Sequence, residues 1–387
     1  MSARRTARWV FGACLLIGAG WLVVMPYVTS AAFVLDLSGK TTWVRRVMPV
    51  RLRAVSTRDF TVDTRHGPVA VRLYQPDRAV RPSVIVMPGV HAGGINEPRL
   101  DAFARRLATT GTPVLSLPLP DLRVFHITPR STDMIEDAAL WLAGNRDLSP
   151  TGRIGLVGVS FAGGLSLVAA GRPALRDKID VVVSHGGHAD LPRTMTFLCT
   201  GRLPDGAART PHDYGVVIIL IGMVERLVPA EQVEPLRRTI LAFLEASSLE
   251  AAEPARAAAL FATAHADGDA LAEPARSLMQ LVIRRDSAAL GPKLLPFIEA
   301  MGGASALSPD RSPATAAPVF LLHGTDDNII PSTETPLLAA YLTSHGNARV
   351  EWLLTPLLSH ADLQTNVKLG DAWKLIRFWK DLLSTNN

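Results

Sequence analysis

Residues Ile154 to Ala170 read Ile-Gly-Leu-Val-Gly-Val-Ser-Phe-Ala-Gly-Gly-Leu-Ser-Leu-Val-Ala-Ala. The run Ile154 to Val157 has the make-up of a buried strand, and the small apolar residues after Ser160 that of a buried helix. A serine on such a strand-to-helix turn, with Gly158 and Ala162 two positions either side, has the layout of a nucleophile elbow. The turn is sharp, so only small neighbours fit. The helix after the serine presents backbone N–H groups and the positive end of its dipole to developing negative charge. A serine hydroxyl is a poor nucleophile at neutral pH, so such a residue needs a histidine to take its proton and a carboxylate to orient that histidine.

Both residue types follow downstream. Pro318 to His323 reads as a buried strand that runs into Gly324-Thr325-Asp326-Asp327-Asn328-Ile329-Ile330-Pro331. One helix and one strand later comes Leu357-Leu358-Ser359-His360-Ala361-Asp362. The chain order is serine, aspartate, histidine. Upstream, strand Ser83 to Met87 leads into Pro88-Gly89-Val90-His91-Ala92-Gly93-Gly94.

With these motifs the chain resembles the α/β-hydrolase superfamily, over about Asp59 to Leu383. The stretch His323 to Pro331 is similar to that family's acid loop. The resemblance makes Ser160 the nucleophile, Asp327 the triad acid, with Asp326 the alternative carboxylate, and His360 the general base. It makes the loop after Met87 the oxyanion loop, with the backbone N–H groups of Val90 and Phe161 as the two donors. The expected reaction is acyl transfer through an acyl-enzyme, normally to water, on a carboxylic ester or related acyl bond. An acyltransferase with the same triad and a non-catalytic binding protein with this fold are the alternatives. Serine at position 160 separates the chain from dehalogenases, which use a carboxylate nucleophile, and from the cysteine-dependent dienelactone hydrolases, whose layout is otherwise similar.

Four other side chains near these motifs invite a role. His91 sits in the oxyanion loop, and His188 and Asp190 follow a strand end, so His91 and His188 are candidates to line a substrate pocket. His185 and His188 lack further ligands nearby for a metal, and neither a metal nor a cofactor is expected.

These residues must be held by a scaffold. Phe60 to Asp63 and Val69 to Tyr74 alternate around Arg65-His66-Gly67-Pro68, the pattern of a hairpin. Strands at Ser83–Met87, Pro113–Leu117, Ile154–Val157, Val181–Ser184, Val319–His323 and Val350–Leu354 then alternate with helices near Arg99–Ala108, Thr132–Ala143, Ala162–Ala170, Glu334–Ser344 and Val367–Leu383. This predicts an α/β fold, a mostly parallel doubly wound sheet whose ligand site lies at the carboxyl ends of the strands. Ser160, Asp327 and His360 each follow a strand at that end. About 125 residues, 191–316, separate two of these strands, far more than an ordinary connection. They are rich in Ala, Leu and Glu and read as a helical cap. Val216 to Ile221 inside them is a dense apolar run, either a buried element or a greasy wall for an acyl chain. Ser308 to Pro318, with three prolines, reads as the hinge back to the core.

The chain has 387 residues, 48% of them hydrophobic and 19% charged, too apolar for disorder. The formal net charge is +5, and much of the excess lies near the N-terminus. No nucleic-acid motif is present, and basic residues placed there suit anionic lipid instead. The two cysteines, Cys14 and Cys199, have no metal spacing, and no disulfide is expected. Residues Trp9 to Leu35 carry no charged side chain. The expected organisation is a basic tail (1–8), a transmembrane anchor or cleaved signal (9–35), a basic linker (36–58), the α/β-hydrolase core (59–190 and 317–387) and the cap insert (191–316). The apolar stretch exceeds the roughly 7–15 residues of a signal core, which favours an uncleaved single-pass anchor, with Thr29-Ser30-Ala31 as the cleavage region otherwise. Thr42 to Ala54 interleaves basic and apolar residues and suits a membrane interface or a strand on the domain edge. Arg4, Arg5 and Arg8 orient the N-terminus inside and the domain outside, against the pull of Lys40, Arg45, Arg46, Arg51 and Arg53 beyond the span. The expected partners are membrane lipid and a small-molecule or lipid-like acyl substrate.

Overall fold

A computed structural model describes residues 24–37, 52–250, 253–358 and 368–385. Eight strands form one sheet in the order β1-β2-β4-β3-β5-β6-β7-β8. They are β1 (Val55–Thr64), β2 (Gly67–Pro76), β3 (Val84–Met87), β4 (Val114–Ser116), β5 (Ile154–Val159), β6 (Ile179–His185), β7 (Val319–Gly324) and β8 (Val350–Thr355). The opening hairpin pairs antiparallel, β2 joins β4 antiparallel, and the pairs from β4 to β8 are parallel.

The principal helices are α1 (residues 24–37), α2 (Pro98–Thr109), α3 (Pro129–Gly144), α4 (Phe161–Ala170), α5 (Leu191–Thr200), α6 (Asp213–Leu227), α7 (Ala230–Leu249), α8 (Pro254–Ala270), α9 (Ala275–Ile283), α10 (Ser287–Leu294), α11 (Glu334–Ser344) and α12 (Leu369–Leu383). Apolar residues on both faces of the parallel strands explain the layering. On β3, Ile85 and Met87 face the core shared with α3 and α4, while Val84 and Val86 face the core shared with α2 and α12. The same alternation on β5 sends Leu156 one way and Val157 the other.

Between β6 and β7 the chain forms α5 to α10. The run Val216 to Ile221 lies within α6 and is buried, so it is a helix, not a strand. The segment Ser308–Pro318 returns under these helices. There Asp190 Oδ2 accepts from Arg311 Nε at 2.5 Å, and Leu191 N donates to Ser308 Oγ at 2.9 Å.

The expected membrane segment 9–35 requires correction in its second half. Residues up to 23 lie outside the described residues, but α1 packs on the domain. Phe33 is 2% exposed and meets Trp379 of α12 edge-on at 4.8 Å and Phe103 of α2 at 6.4 Å. Asp36 is buried and pairs with Arg106 at 3.6 Å, and Arg106 Nη1 also donates to the Leu37 carbonyl. A face that buries Ser30, Phe33 and Asp36 against protein does not lie in lipid. No helix among the described residues is long and apolar enough to cross a membrane. The expected linker 36–58 is likewise shorter, because Val55 to Arg58 pair with β2.

Candidate active site

Ser160 follows β5 with φ 57° and ψ −133°, a positive φ outside the glycine residues. Such a conformation costs about 1–3 kcal/mol and persists only where the surroundings hold it. Here the Ser160 N–H donates to the His185 carbonyl at 2.7 Å, and the Ser160 carbonyl accepts from Gly163 N at 2.8 Å. The small neighbours are a steric necessity. A Cβ at Gly158 would stand 2.3 Å from the Ala162 carbonyl oxygen. A Cβ at Gly89, in the loop after β3, would stand 2.7 Å from Ser160 Cβ. Two backbone segments distant in sequence therefore touch at the serine.

The loop expected to carry the acid follows β7. Asp327 is 1% exposed, whereas its neighbour Asp326 is exposed. Asp327 Oδ1 accepts from the N–H groups of Ile329 at 2.9 Å and Ile330 at 3.0 Å. His323 Nε2 lies 2.9 Å from the Ile330 carbonyl and 3.3 Å from Asp327 Oδ2, so Nε2 must carry the proton. Its Nδ1 is hydrogen-bonded with the Thr335 hydroxyl at 2.8 Å. This buried histidine braces the loop that presents Asp327. His360 lies outside the described residues.

A cavity of about 480 Å³ opens over Ser160. From the core it is lined by Val90, His91, Ser160, Phe161, Asn328 and Ile329, so the elbow, the loop after β3 and the acid loop meet at one place. Helices α6, α7 and α9 supply the far wall, with Tyr214, Val217, Ile218, Phe243 and Val282. Polar groups stand among them. Arg285, just after α9 with φ 53°, pairs with Asp213 at 3.3 Å and Glu250 at 3.1 Å, and its guanidinium stands 6.0 Å from the Phe243 ring centre. Arg99, at the start of α2, borders the cavity and pairs with Glu97 at 2.7 Å.

The two pocket histidines part company. His91 lines the cavity, and its Nδ1 accepts from Gly93 N at 3.0 Å. Burial lowers its pKa, so it is neutral at pH 7 with the proton on Nε2. His188 is absent from the residues lining this cavity. It is fully buried against Phe161, with Nε2 2.7 Å from the Leu307 carbonyl. Its ring ties the return segment to α4. Asp190 is equally committed to structure, its Oδ1 accepting from Arg193 N at 2.7 Å. Cys199 is a buried free cysteine whose thiol burial pushes up to about 12. Among the described residues no group of three or more His, Cys, Asp or Glu side chains could hold a metal ion.

Sequence reasoning missed Arg99, Tyr214, Phe243 and Arg285. Arg99 had a readable signal, since it opens the helix that follows the loop after β3. The cap residues had none, because only tertiary packing decides which face of a cap helix looks down on the serine.

No family model matches this chain, and no curated protein matches it. Solved structures similar to it include three esterases. A hyperthermophilic esterase from the archaeon Pyrobaculum calidifontis has 17% identity, covers 94% of this chain and 93% of its own, and has a TM-score of 0.47. Carboxyl esterase 2 from the mycorrhizal fungus Tuber melanosporum has 14% identity, 88% coverage of both chains and a TM-score of 0.49. The Pyrococcus furiosus esterase Pf2001 has 13% identity, covers 79% of this chain and 84% of its own, and has a TM-score of 0.43. Likenesses this remote carry no argument, and the architecture is assigned from this chain itself. By its strand order, its pairing directions and the sharp turn at Ser160 between β5 and α4, the chain has the fold of the α/β-hydrolase superfamily.

Proposed function

We propose that the protein is a serine hydrolase that cleaves a carboxylic ester through an acyl-enzyme. The observation that carries this reading is Ser160, held at positive φ at the floor of a cavity and flanked there by Val90 and Phe161. In this reading His360 accepts the Ser160 hydroxyl proton as Oγ attacks the ester carbonyl. The N–H groups of Val90 and Phe161 hold the resulting oxyanion. Such a donor contributes roughly 3–4 kcal/mol in comparable sites. The tetrahedral species collapses, and the departing alkoxide takes the proton from His360. Water, deprotonated in turn by His360, then releases the acid. Asp327 fixes the histidine tautomer and stabilises the imidazolium. The buried position of Asp327 beside an exposed Asp326 supports the assignment of the acid.

A cavity of about 480 Å³ suits a small-molecule substrate rather than a polymer, within the roughly 300–1,000 Å³ of such sites. Its wall is apolar at Val217, Ile218 and Phe243 and polar at Arg99, Asp213 and Arg285, which supports a substrate carrying both characters. The uncharged run that begins at Trp9 and leads into α1 supports a membrane tether, and Arg4, Arg5 and Arg8 before it support a domain on the outer side.

Labelling with a fluorophosphonate probe, together with p-nitrophenyl ester hydrolysis, tests the reading. The wild-type protein should be labelled and active, and Ser160→Ala neither labelled nor active while melting at an unchanged temperature. Label on Ser160 with transfer of the acyl group to an added alcohol, and none to water, would assign an acyltransferase instead. An unlabelled wild-type protein would leave a binding role.

A further inference from the structure

We infer that the amino-terminal part of α12 and the first turns of α1 form a surface that docks on an anionic phospholipid bilayer. The inference rests on the tether reading above and names the part of the folded domain that meets the lipid.

Leu369 and Trp373 lie four residues apart on α12 and are 89% and 56% exposed, although α12 buries Leu375, Phe378 and Trp379 on its other side. Trp373 stacks on Tyr27 of α1, with ring centres 5.4 Å apart and planes 3° from parallel. Val24, one turn before Tyr27, is 53% exposed. Four apolar or aromatic side chains from two helices thus form one patch. Scattered exposed apolar residues need no explanation, but a stacked pair extended by two neighbours does.

Two arguments select a bilayer as the occupant. The first is chain continuity. The strictly apolar stretch Trp9 to Met25 is 17 residues, the lower limit for a span, and its last two, Val24 and Met25, already belong to α1. As a helix it would cover about 25 Å, short of the hydrocarbon thickness of about 30 Å. A span this short leaves no spacer, so the protein surface around Val24 is drawn against the headgroups. Tryptophan and tyrosine are the side chains that favour that layer.

The second argument is charge. From Lys368 to Asp381, α12 and the residue before it carry Lys368, Lys374, Arg377 and Lys380 against only Asp371 and Asp381. Arg377 is 71% exposed although it pairs with Asp381 at 3.8 Å, and Lys374 is 65% exposed although it pairs with Asp371 at 3.3 Å. Lys380 pairs with Asp381 and stands 5.3 Å from the Tyr27 ring centre. An apolar patch rimmed by a surplus of cations suits anionic headgroups.

The test uses the full chain in phosphatidylcholine vesicles that contain bromine-labelled acyl chains, with or without phosphatidylglycerol. The emission of residue 373 is the difference between wild type and Trp373→Phe. With phosphatidylglycerol present it should be quenched at least twofold. In the Arg377→Gln and Lys380→Gln variants, the docked-to-undocked ratio should fall about fivefold for each cation removed. A carbonate wash reads the tether separately. A chain that survives the wash but leaves residue 373 unquenched overturns the docking surface and keeps the tether. A chain that carbonate removes overturns the tether, and quenching of residue 373 on adding that chain to preformed vesicles would still uphold the surface. Emission at 373 that depends on protein concentration and not on lipid would assign the patch to a second copy and overturn the inference.

Discussion

Arg209, in the segment leading into α6, donates from Nη1 to the carbonyl oxygens of Thr325 at 3.0 Å and Asp327 at 3.2 Å. Three residues on, the His212 N–H donates to the Asn328 carbonyl at 2.8 Å. The helical insert therefore grips the acid loop from above while Ile329 and Ile330 hold its carboxylate from within.

If Asp327 is the acid, as proposed above, Arg209 is a positioning residue for it. Arg209→Ala should lower kcat about tenfold with KM changed less than about twofold, since misplacement of a catalytic group mainly affects the transition state. Steady-state kinetics on a short ester would show it. Arg209→Lys should restore part of the loss, because both carbonyls are reached from the single nitrogen Nη1 and an ammonium also carries two donors, though on a stem that lacks the rigid planar guanidinium. Equal losses in kcat and in thermal stability would reduce Arg209 to a structural strut.

The adjacent carboxylates should behave differently. Asp327→Asn is expected to lose on the order of 10⁴ in kcat, the scale seen when a triad aspartate no longer fixes the histidine tautomer. Asp326→Asn, with its exposed side chain, should stay within about twofold of wild type. The opposite ranking would move the acid to Asp326.

Helix α1 matters to the fold whatever precedes it. Phe33 fills the space between Phe103 and Trp379, so Phe33→Ala should cost about 3–5 kcal/mol in denaturant unfolding. A chain beginning at Val24 should fold and keep its activity. One beginning at Val55 uncovers Phe103 and Trp379, and it should melt at a lower temperature and aggregate sooner. Equal melting temperatures for the two would show that α1 adds nothing to the core.

The network beneath the insert predicts a pH response. Glu334 accepts from the N–H groups of Ala189 and Asp190 and pairs with Arg193 at 2.6 Å, and Arg193 also pairs with Asp310 at 3.4 Å. Burial, aided by repulsion from Asp190, pushes the Asp310 carboxyl up from 3.8 to about 6. The folded protein thus keeps a proton that the unfolded chain has already released. The stability this gives is full below about pH 4 and is lost as pH rises through about 6. Asp310→Asn should remove that part of the slope and raise the melting temperature above pH 6 by on the order of 1 °C. A melting-temperature profile between pH 4 and 8 that is unchanged by the substitution would refute this.

The sequence by itself determined much of the scaffold and the elbow. The parallel strands are apolar on both faces, so their runs were readable, and Gly158-Val159-Ser160-Phe161-Ala162 announces a turn that only small neighbours permit. The order of serine, acid loop and histidine follows from the same reading. Three matters were decided only by tertiary structure. The adjacent carboxylates Asp326 and Asp327 look alike in sequence, and the turn held by the N–H groups of Ile329 and Ile330 buries one of them. His91 and His188 both stand at strand ends, yet only His91 faces the cavity, because the segment returning from the insert covers His188 at Leu307. The apolar run after Trp9 gave no sign of where it would meet the domain. Phe33 and Asp36 are packed away at a distance in sequence from their partners Trp379 and Arg106, and hydropathy along a chain does not register a partner 70 or more residues away.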